Sequence, residues 1–145
     1  DKVNSIEEIV NKTLTRPDQA LYFGVIANAE SGLCLRVFEN QDYVMTSCDS
    51  LHTYEKILHY DVDGAIRFRS HCIRASPNRD IMITDCENSQ ENKWDHNAQD
   101  GFIRLRGEKR CWTHNPGVSN KVQIVQCSYS DPYQRWKMVQ NGTVL

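Results

Sequence analysis

Residues 110–136 read R-C-W-T-H-N-P-G-V-S-N-K-V-Q-I-V-Q-C-S-Y-S-D-P-Y-Q-R-W, and they decide the fold because they form the third copy of one unit. The leading cysteines of the three copies lie 38 and 39 residues apart: Cys34, Cys72 and Cys111. The trailing cysteines lie 38 and 41 residues apart: Cys48, Cys86 and Cys127. The closing positions lie 37 and 42 residues apart: Ile57, Trp94 and Trp136. Three markers that keep one period predict a repeat architecture, and the closing residues are expected in its core.

The rest of the chain from Leu21 onward reads as β-structure. Short runs rich in Val, Ile, Tyr and Phe alternate with turn residues. A polar residue precedes glycine at Asp63-Gly64, Asp100-Gly101 and Asn141-Gly142, which is typical of tight hairpin turns. Each repeat should supply about four short strands, and such a unit cannot bury its apolar face alone. The sequence therefore predicts a closed, all-β, barrel-like domain with threefold pseudosymmetry.

The length of 145 residues predicts one repeat domain at 21–145, preceded by a leader at 1–20. We expect repeats at about 22–60, 61–99 and 100–144. In the leader, Ser5 and Glu8 form a capping-box pattern that predicts a short amphipathic helix ending before Pro17. A start at Asp1, with no Met and no signal peptide, predicts a processed product or an excised domain.

Charge and motifs limit the classes of function. The net charge of −2 predicts no attraction to nucleic acid or to an anionic membrane surface, and no apolar run is long enough for membrane insertion. The sequence contains no H-E-x-x-H, no G-x-S-x-G and no glycine-rich phosphate loop. We therefore expect a chain that is not an enzyme and that needs no cofactor and no metal.

The six cysteines favour three local disulfide bonds. The two cysteines of each repeat are 14, 14 and 16 residues apart. Six cysteines allow 15 pairings, and the repeat symmetry favours Cys34–Cys48, Cys72–Cys86 and Cys111–Cys127. Metal binding is the rival interpretation, but C-x2-C spacing is absent. Disulfides and the sequons at Asn11 and Asn141 indicate a glycoprotein of the secretory pathway: Golgi lumen, extracellular or secreted.

The threefold pattern of C-L-x, a second cysteine and Q-x-W resembles the ricin-B-type (R-type) lectin β-trefoil over residues 22–144. The opening Y-F-G-V-I-A-N-A-E-S-G-L-C-L at 22–35 is most similar to the C-terminal lectin domain of polypeptide N-acetylgalactosaminyltransferases. The resemblance implies a β-trefoil that is a non-catalytic carbohydrate-binding module. Such a module would recognise a glycan or glycopeptide, as an accessory domain of a glycosyltransferase or as a binder of anionic or sulfated sugars.

The sugar site of that family needs a carboxylate two residues after the first cysteine, a ring beside the second cysteine and an Asn before Q-x-W. A carboxylate accepts two hydrogen bonds from neighbouring sugar hydroxyls, and a ring offers a flat face to the C–H surface of the sugar. The carboxylate position is occupied here by Arg36, Arg74 and Thr113. The ring position holds Thr46, Thr84 and Val125, and the Asn position holds Tyr54, Glu91 and Tyr133. The resemblance thus implies degenerate sugar sites.

Other polar and aromatic residues remain as candidates for sugar binding. The third repeat offers Thr113, His114, Asn115, Gln126, Tyr129 and Tyr133. The first repeat offers Asp49 and Tyr54, with Asp42 and Tyr43 nearby. Aromatic rings beside amides and a histidine suit carbohydrate recognition. The segment from His114 to Gly117 also reads as a plain turn.

Arg36 and Arg74 form a candidate anion site, because a guanidinium can fork onto a sulfate or a carboxylate. The alternative is a solvated, salt-bridged strand surface, since acidic residues are interspersed. The expected partner of the chain is a glycan or glycoprotein, and a protein partner is also left open. The alternative function is a protein-interaction trefoil that has lost sugar binding: a toxin subunit, a receptor module or an inactive transferase-like protein.

Overall fold

The computed structural model describes residues 20–49, 58–140 and 143–144. The leader with its predicted helix, the sequon at Asn11, the residues Tyr54 and Ile57, and the sequon residue Asn141 lie outside the described residues. The domain and repeat boundaries stay a prediction.

Each repeat contributes four strands within the described residues. The first repeat forms β1 (Ala20–Asn28), β2 (Cys34–Val37), β3 (Tyr43–Thr46) and β4 (Leu58–Asp61). The second forms β5 (Ile66–Phe68), β6 (His71–Ala75), β7 (Ile81–Asp85) and β8 (Trp94–His96). The third forms β9 (Ile103–Leu105), β10 (Arg110–Thr113), β11 (Gln123–Gln126) and β12 (Trp136–Gln140). A last strand, β13 (Thr143–Val144), pairs with β12.

The outer strands of the repeats form a barrel. β1 pairs antiparallel with both β12 and β4, β4 pairs with β5, and β8 pairs with β9. Two equivalent backbone bonds connect β8 and β12 to the segments before β5 and β9. The amide of Trp94 donates to the carbonyl of Gly64 at 2.8 Å, and the amide of Trp136 donates to that of Gly101 at 2.8 Å. The middle strands form the hairpins β2–β3, β6–β7 and β10–β11. This arrangement confirms the all-β class and the β-trefoil.

The core is shared by all three repeats, as the short strands require. Trp94 and Trp136 are buried, as expected for closing residues. The Trp112 ring meets the Trp94 ring edge-on, with centroids 5.4 Å apart, and meets the Trp136 ring in the same way at 5.6 Å. Such edge-to-face contacts add to the stability that aromatic burial supplies.

Three disulfide bonds join Cys34 to Cys48, Cys72 to Cys86, and Cys111 to Cys127. These are the pairs that the repeat symmetry favoured. Each bond closes a loop within its own repeat, so each repeat is crosslinked separately.

Asp-Gly pairs form the turns of two barrel hairpins, as predicted. Gly64 and Gly101 have φ angles of 94° and 80°, a region that residues with a Cβ rarely adopt. The carboxylate of Asp63 accepts a hydrogen bond from the amide of Ala65 at 3.0 Å. The carboxylate of Asp100 accepts the equivalent bond from the amide of Phe102 at 2.9 Å. The aspartates therefore stabilise the two turns.

Candidate functional site

Arg36 lies on β2, two residues after the leading cysteine, where the lectin pattern places a carboxylate. It faces Val44 across the β2–β3 ladder. Its guanidinium carbon lies 4.5 Å from the centroid of the Phe38 ring, a cation–π contact. The first repeat therefore presents a cation beside a ring at this position, and a cation cannot accept sugar hydroxyl protons.

Arg74 occupies the same position in the second repeat and meets a partner there. Its Nη2 lies 3.9 Å from Oε1 of Glu91, the residue at the Asn position of the pattern. The Ser89 hydroxyl lowers the pKa of Glu91, and the charge of Arg74 adds to this effect. Both polar positions of the second site have thus become ionic, with the positive and negative charges facing each other.

Thr113 and His114 of the third repeat are buried, with 8% and 2% of their surfaces exposed. The Thr113 hydroxyl and the His114 Nδ1 have no hydrogen-bond partner in the part of the chain that the structure describes. Burial lowers the pKa of His114, and a hydrogen bond to the backbone of Ser119 opposes that effect. His114 is therefore neutral near pH 7, and its Nδ1 is a buried polar atom without a partner in the described residues.

The other third-repeat candidates are dispersed. The Asn115 side chain accepts a hydrogen bond from the amide of Gly117 at 2.9 Å, and it forms the plain turn that was the alternative. Tyr129 is 72% exposed, and its ring packs against Phe102 with centroids 5.1 Å apart. The carbonyl of Tyr133 accepts hydrogen bonds from the side-chain amide of Asn28 at 2.9 Å and from the amide of His114 at 3.3 Å.

Gln126 and Asp49 lie apart from that group. Gln126 is exposed and lines a separate depression together with Arg79 and Arg110. Asp49 is exposed, and its backbone amide donates a hydrogen bond to the Ser47 hydroxyl oxygen at 3.2 Å. The structure therefore does not bring the seven described sugar-binding candidates into one site, and Tyr54 lies outside the described residues.

A cleft of about 400 Å³ lies between the first and third repeats. We call it the inter-repeat cleft; its lining includes Asp42, Met45, His114, Pro116, Asn120 and Lys121. The lining combines apolar side chains with polar groups that donate and accept hydrogen bonds, and this composition is typical of small-ligand sites. Two candidate sets that the sequence assigned to different repeats, Asp42 with Tyr43 and His114, thus meet in one place.

Lys121 connects the two sides of the inter-repeat cleft. Its ammonium lies 3.7 Å from a carboxylate oxygen of Asp42 and 4.6 Å from the centroid of the Tyr43 ring. The Tyr43 hydroxyl accepts a hydrogen bond from the amide of Val122 at 3.2 Å, and burial raises the pKa of Tyr43. Tyr43 is therefore a neutral structural residue, while Asp42 and Lys121 supply the exposed charges of the cleft.

The glutamine of Q-x-W has a structural role that the sequence analysis missed. Gln134 is buried; its Oε1 accepts from the amide of Ser128 at 2.7 Å, and its Nε2 donates to the carbonyl of Gln126 at 3.0 Å. Asn92 makes a comparable bond to the carbonyl of Glu87. The sequence carries a signal for this role: in both the second and third repeats, a polar amide residue lies two positions before a buried tryptophan.

The described ranges contain no group of three or more His, Cys, Asp or Glu side chains that could hold a metal ion. No helix in them has the length and hydropathy needed to cross a bilayer.

A β-trefoil of three disulfide-bonded repeats, in which the second and third end on a buried tryptophan, is the architecture of a lectin-type module. A family model described as the ricin-type β-trefoil lectin domain matches residues 22–143. The chain therefore belongs to the ricin-type β-trefoil lectin family, as the resemblance implied. A disulfide-bonded domain of this family indicates an extracellular or secretory-pathway location. Comparison with curated protein sequences gives no significant match.

Three solved structures share the fold. One is GalNAc-T7 with UDP, GalNAc and Mn2+: TM-score 0.74 and 15% identity, over 97% of this chain and 26% of that chain. The second is a non-toxic homologue of type II RIPs from Momordica charantia (bitter gourd) in complex with α-methyl-D-galactoside: TM-score 0.68 and 19% identity, over 79% and 46%. The third is the agglutinin from Abrus precatorius: TM-score 0.68 and 18% identity, over 82% and 47%. The chain spans less than half of each of these structures, and identities this low establish the fold alone.

Proposed function

We propose that this chain is a non-catalytic glycan-binding module that holds a neutral glycan or glycopeptide in the inter-repeat cleft. Membership of a lectin family supports carbohydrate binding in general. One observation supports the inter-repeat cleft as the binding site. Four polar residues from two repeats line it: Asp42, Asn120, Lys121 and the buried His114. A carboxylate and an amide can bind adjacent sugar hydroxyls, and the Lys121 ammonium adds a donor.

The family-type positions are weaker candidates for neutral sugars. Arg36 stacks on Phe38, Arg74 faces Glu91, and Thr113 is buried. None of these three residues offers a free carboxylate to a sugar ring. The same losses support the second candidate, a protein-interaction trefoil without sugar binding.

We propose in addition that the chain is one part of a larger, glycosyltransferase-like parent protein. The chain would serve as an accessory domain of a glycosyltransferase-like protein in the Golgi lumen and keep a glycan or glycopeptide near another activity. The similarity to part of a GalNAc-T7 structure supports this role by fold alone. The catalytic groups would then lie in another part of the parent.

The test is a neutral-glycan array followed by titration of the best ligand into Asp42→Asn. Asparagine keeps an oxygen that can accept the local hydrogen bond from the Tyr43 amide, which Asp42 accepts at 2.8 Å. The substitution removes the charge, so it should weaken binding by about tenfold. Asp49→Asn is the matched control in the same repeat, and its affinity should stay within about twofold.

The array and the two variants separate the alternatives. A module that binds neither neutral nor anionic glycans would favour the protein-interaction trefoil, and a module that binds only anionic glycans would contradict the neutral ligand proposed here. Equal losses in Asp42→Asn and Asp49→Asn, or a loss in Asp49→Asn alone, would contradict the placement of the ligand in the inter-repeat cleft.

A further inference from the structure

A second cleft, of about 480 Å³, lies between the second and third repeats and is lined by three cations and no carboxylate. Its lining is Arg79, Lys109, Arg110, Ile124, Val125 and Gln126, and we call it the basic cleft. We propose that the basic cleft binds the sulfate or carboxylate group of an anionic glycan. This inference rests on the proposed function in one respect, namely that the ligand is a glycan.

The backbone holds the cations of the basic cleft in place. Arg79 sits at a turn with φ of 65°, and its carbonyl accepts a hydrogen bond from the amide of Ile124 at 2.7 Å. The neighbouring residue Asp80 forms a β-bridge with Gln123. The carbonyl of Lys109 accepts a hydrogen bond from the amide of Cys127 at 3.0 Å. The second and third repeats are therefore joined at this cleft, and the cations extend from fixed backbone positions.

Two of these cations keep more free charge than Arg67, Arg69 and Arg106. Arg67, Arg69 and Arg106 each face a carboxylate: Asp61, Glu39 and Asp95. Arg79 and Lys109, in contrast, form no ion pair with any residue in the described ranges. Arg110 pairs through Nε with Glu108 at 2.7 Å, and this leaves its two terminal nitrogens for a forked contact with an anion.

The basic cleft suits an anion better than the arginines that the sequence singled out. Arg74 is opposed by Glu91 at 3.9 Å, so an incoming anion would meet a negative charge. Arg36 has a single cation–π contact and belongs to no described cluster of cations. Arg79 and Lys109 line the same cleft and form no ion pair within the described ranges, so together they attract an anion more strongly than one cation does.

The remaining lining favours a sugar as the carrier of the anion. Val125 is 37% exposed, and it stands where the lectin pattern places a ring. It offers an apolar face to the C–H surface of a pyranose, and the exposed amide of Gln126 can bind a hydroxyl. An inorganic ion would use the cations alone.

The test compares methyl glycosides of N-acetylgalactosamine 4-sulfate, galacturonic acid and unmodified N-acetylgalactosamine. Chemical-shift titration detects weak binding and locates the residues affected. The sulfated and carboxylated sugars should bind about tenfold more tightly than the neutral one, with shifts at Val125 and Gln126. Arg79→Gln should remove most of that preference, and added salt should also reduce it.

Arg69→Gln is the control, because Arg69 also sits at a turn with positive φ, 56°, and its loss changes the net charge by the same amount as Arg79→Gln. An equal loss of the preference in Arg69→Gln would mean that overall charge is responsible, and this would overturn the proposal. Equal affinity of all three sugars would also overturn it. Neutral-glycan titration of Asp42→Asn tests the inter-repeat cleft independently, so either proposal can fail while the other stands.

Discussion

The indole Nε1 of Trp136 donates a hydrogen bond to the backbone carbonyl of Trp112 at 2.9 Å. The Trp94 indole donates the equivalent bond to Ile73, also at 2.9 Å. In both repeats the closing residue is thereby attached to the residue that follows the leading cysteine. The bond satisfies the indole and the carbonyl in the buried core, where either group left alone would be costly.

Trp136→Phe should lower the free energy of unfolding by about 2 kcal/mol, because it removes volume and leaves the Trp112 carbonyl without this donor. Trp112→Phe is the control, since the Trp112 Nε1 has no hydrogen-bond partner among the described residues. It removes a similar volume without breaking an indole bond and should cost less. Urea unfolding measures both values. Equal costs would show that the hydrogen bond contributes nothing.

Gly101→Ala should destabilise the domain more than Gly107→Ala. Both glycines have positive φ, 80° and 82°, so an alanine at either should cost about 1 kcal/mol in backbone strain. A Cβ at Gly101 would lie 3.2 Å from the Arg135 Cα and 3.2 Å from the Trp136 backbone nitrogen, whereas a Cβ at Gly107 meets nothing within 4 Å.

Backbone atoms cannot move aside as a flexible side chain can, so the extra cost at Gly101 should be about 1–3 kcal/mol. Thermal unfolding of the two variants gives the comparison. A Gly107→Ala variant as unstable as Gly101→Ala would mean that φ alone governs both positions.

Removal of any one disulfide by paired Cys→Ser substitutions should cost about 3 kcal/mol, because the loops are of similar length. The paired cysteines are 14, 14 and 16 residues apart. The three double variants should therefore lie close together in denaturant midpoint. Non-reducing peptide mapping of the unmodified chain is the companion measurement. A bridge between different repeats would contradict the fold.

Stability should fall when the pH drops below about 6.5, the usual pKa of histidine. Burial lowers the pKa of both His96 and His114 in the folded domain. Between the folded and unfolded pKa values the unfolded chain binds more protons, so the stability present above pH 6.5 is lost progressively as the pH falls. Urea unfolding at pH 5.5 and 7.5 should show the difference.

The double variant His96→Gln/His114→Gln is the control for that pH dependence. Its stability should change less between the same two pH values, because the buried imidazoles are gone. A pH dependence that is unchanged in the double variant would assign the effect to other groups.

Much of the fold could be predicted because its determinants repeat. Cys72 and Cys111 mark the same strand in two repeats, and Gly64 and Gly101 mark the same turn. Local rules of spacing and turn chemistry act identically on each copy, so a correct prediction of the strands and turns in one repeat also holds for the other two. The fixed period also identified the disulfide partners without reference to distance.

The candidate site could not be predicted in the same way. Asp42 and His114 are far apart in the sequence and approach each other only because hairpins of different repeats pack side by side. The sequence pattern gives the content of each repeat but not the side chains that face each other across a boundary. The basic cleft was missed for the same reason, since Arg79 belongs to one repeat and Lys109 to the next.

The disulfide bonds staying within repeats have a consequence for how such a domain can diversify. The disulfide bonds lie inside the repeats, while both clefts lie at boundaries between two repeats, and no disulfide bond crosses such a boundary. Replacing the third repeat alone by a different sequence would leave every disulfide pair intact. It would also change one side of each cleft, because the third repeat lines both. In such a protein, ligand specificity depends on which repeats stand next to each other, and it can change while the fold stays the same.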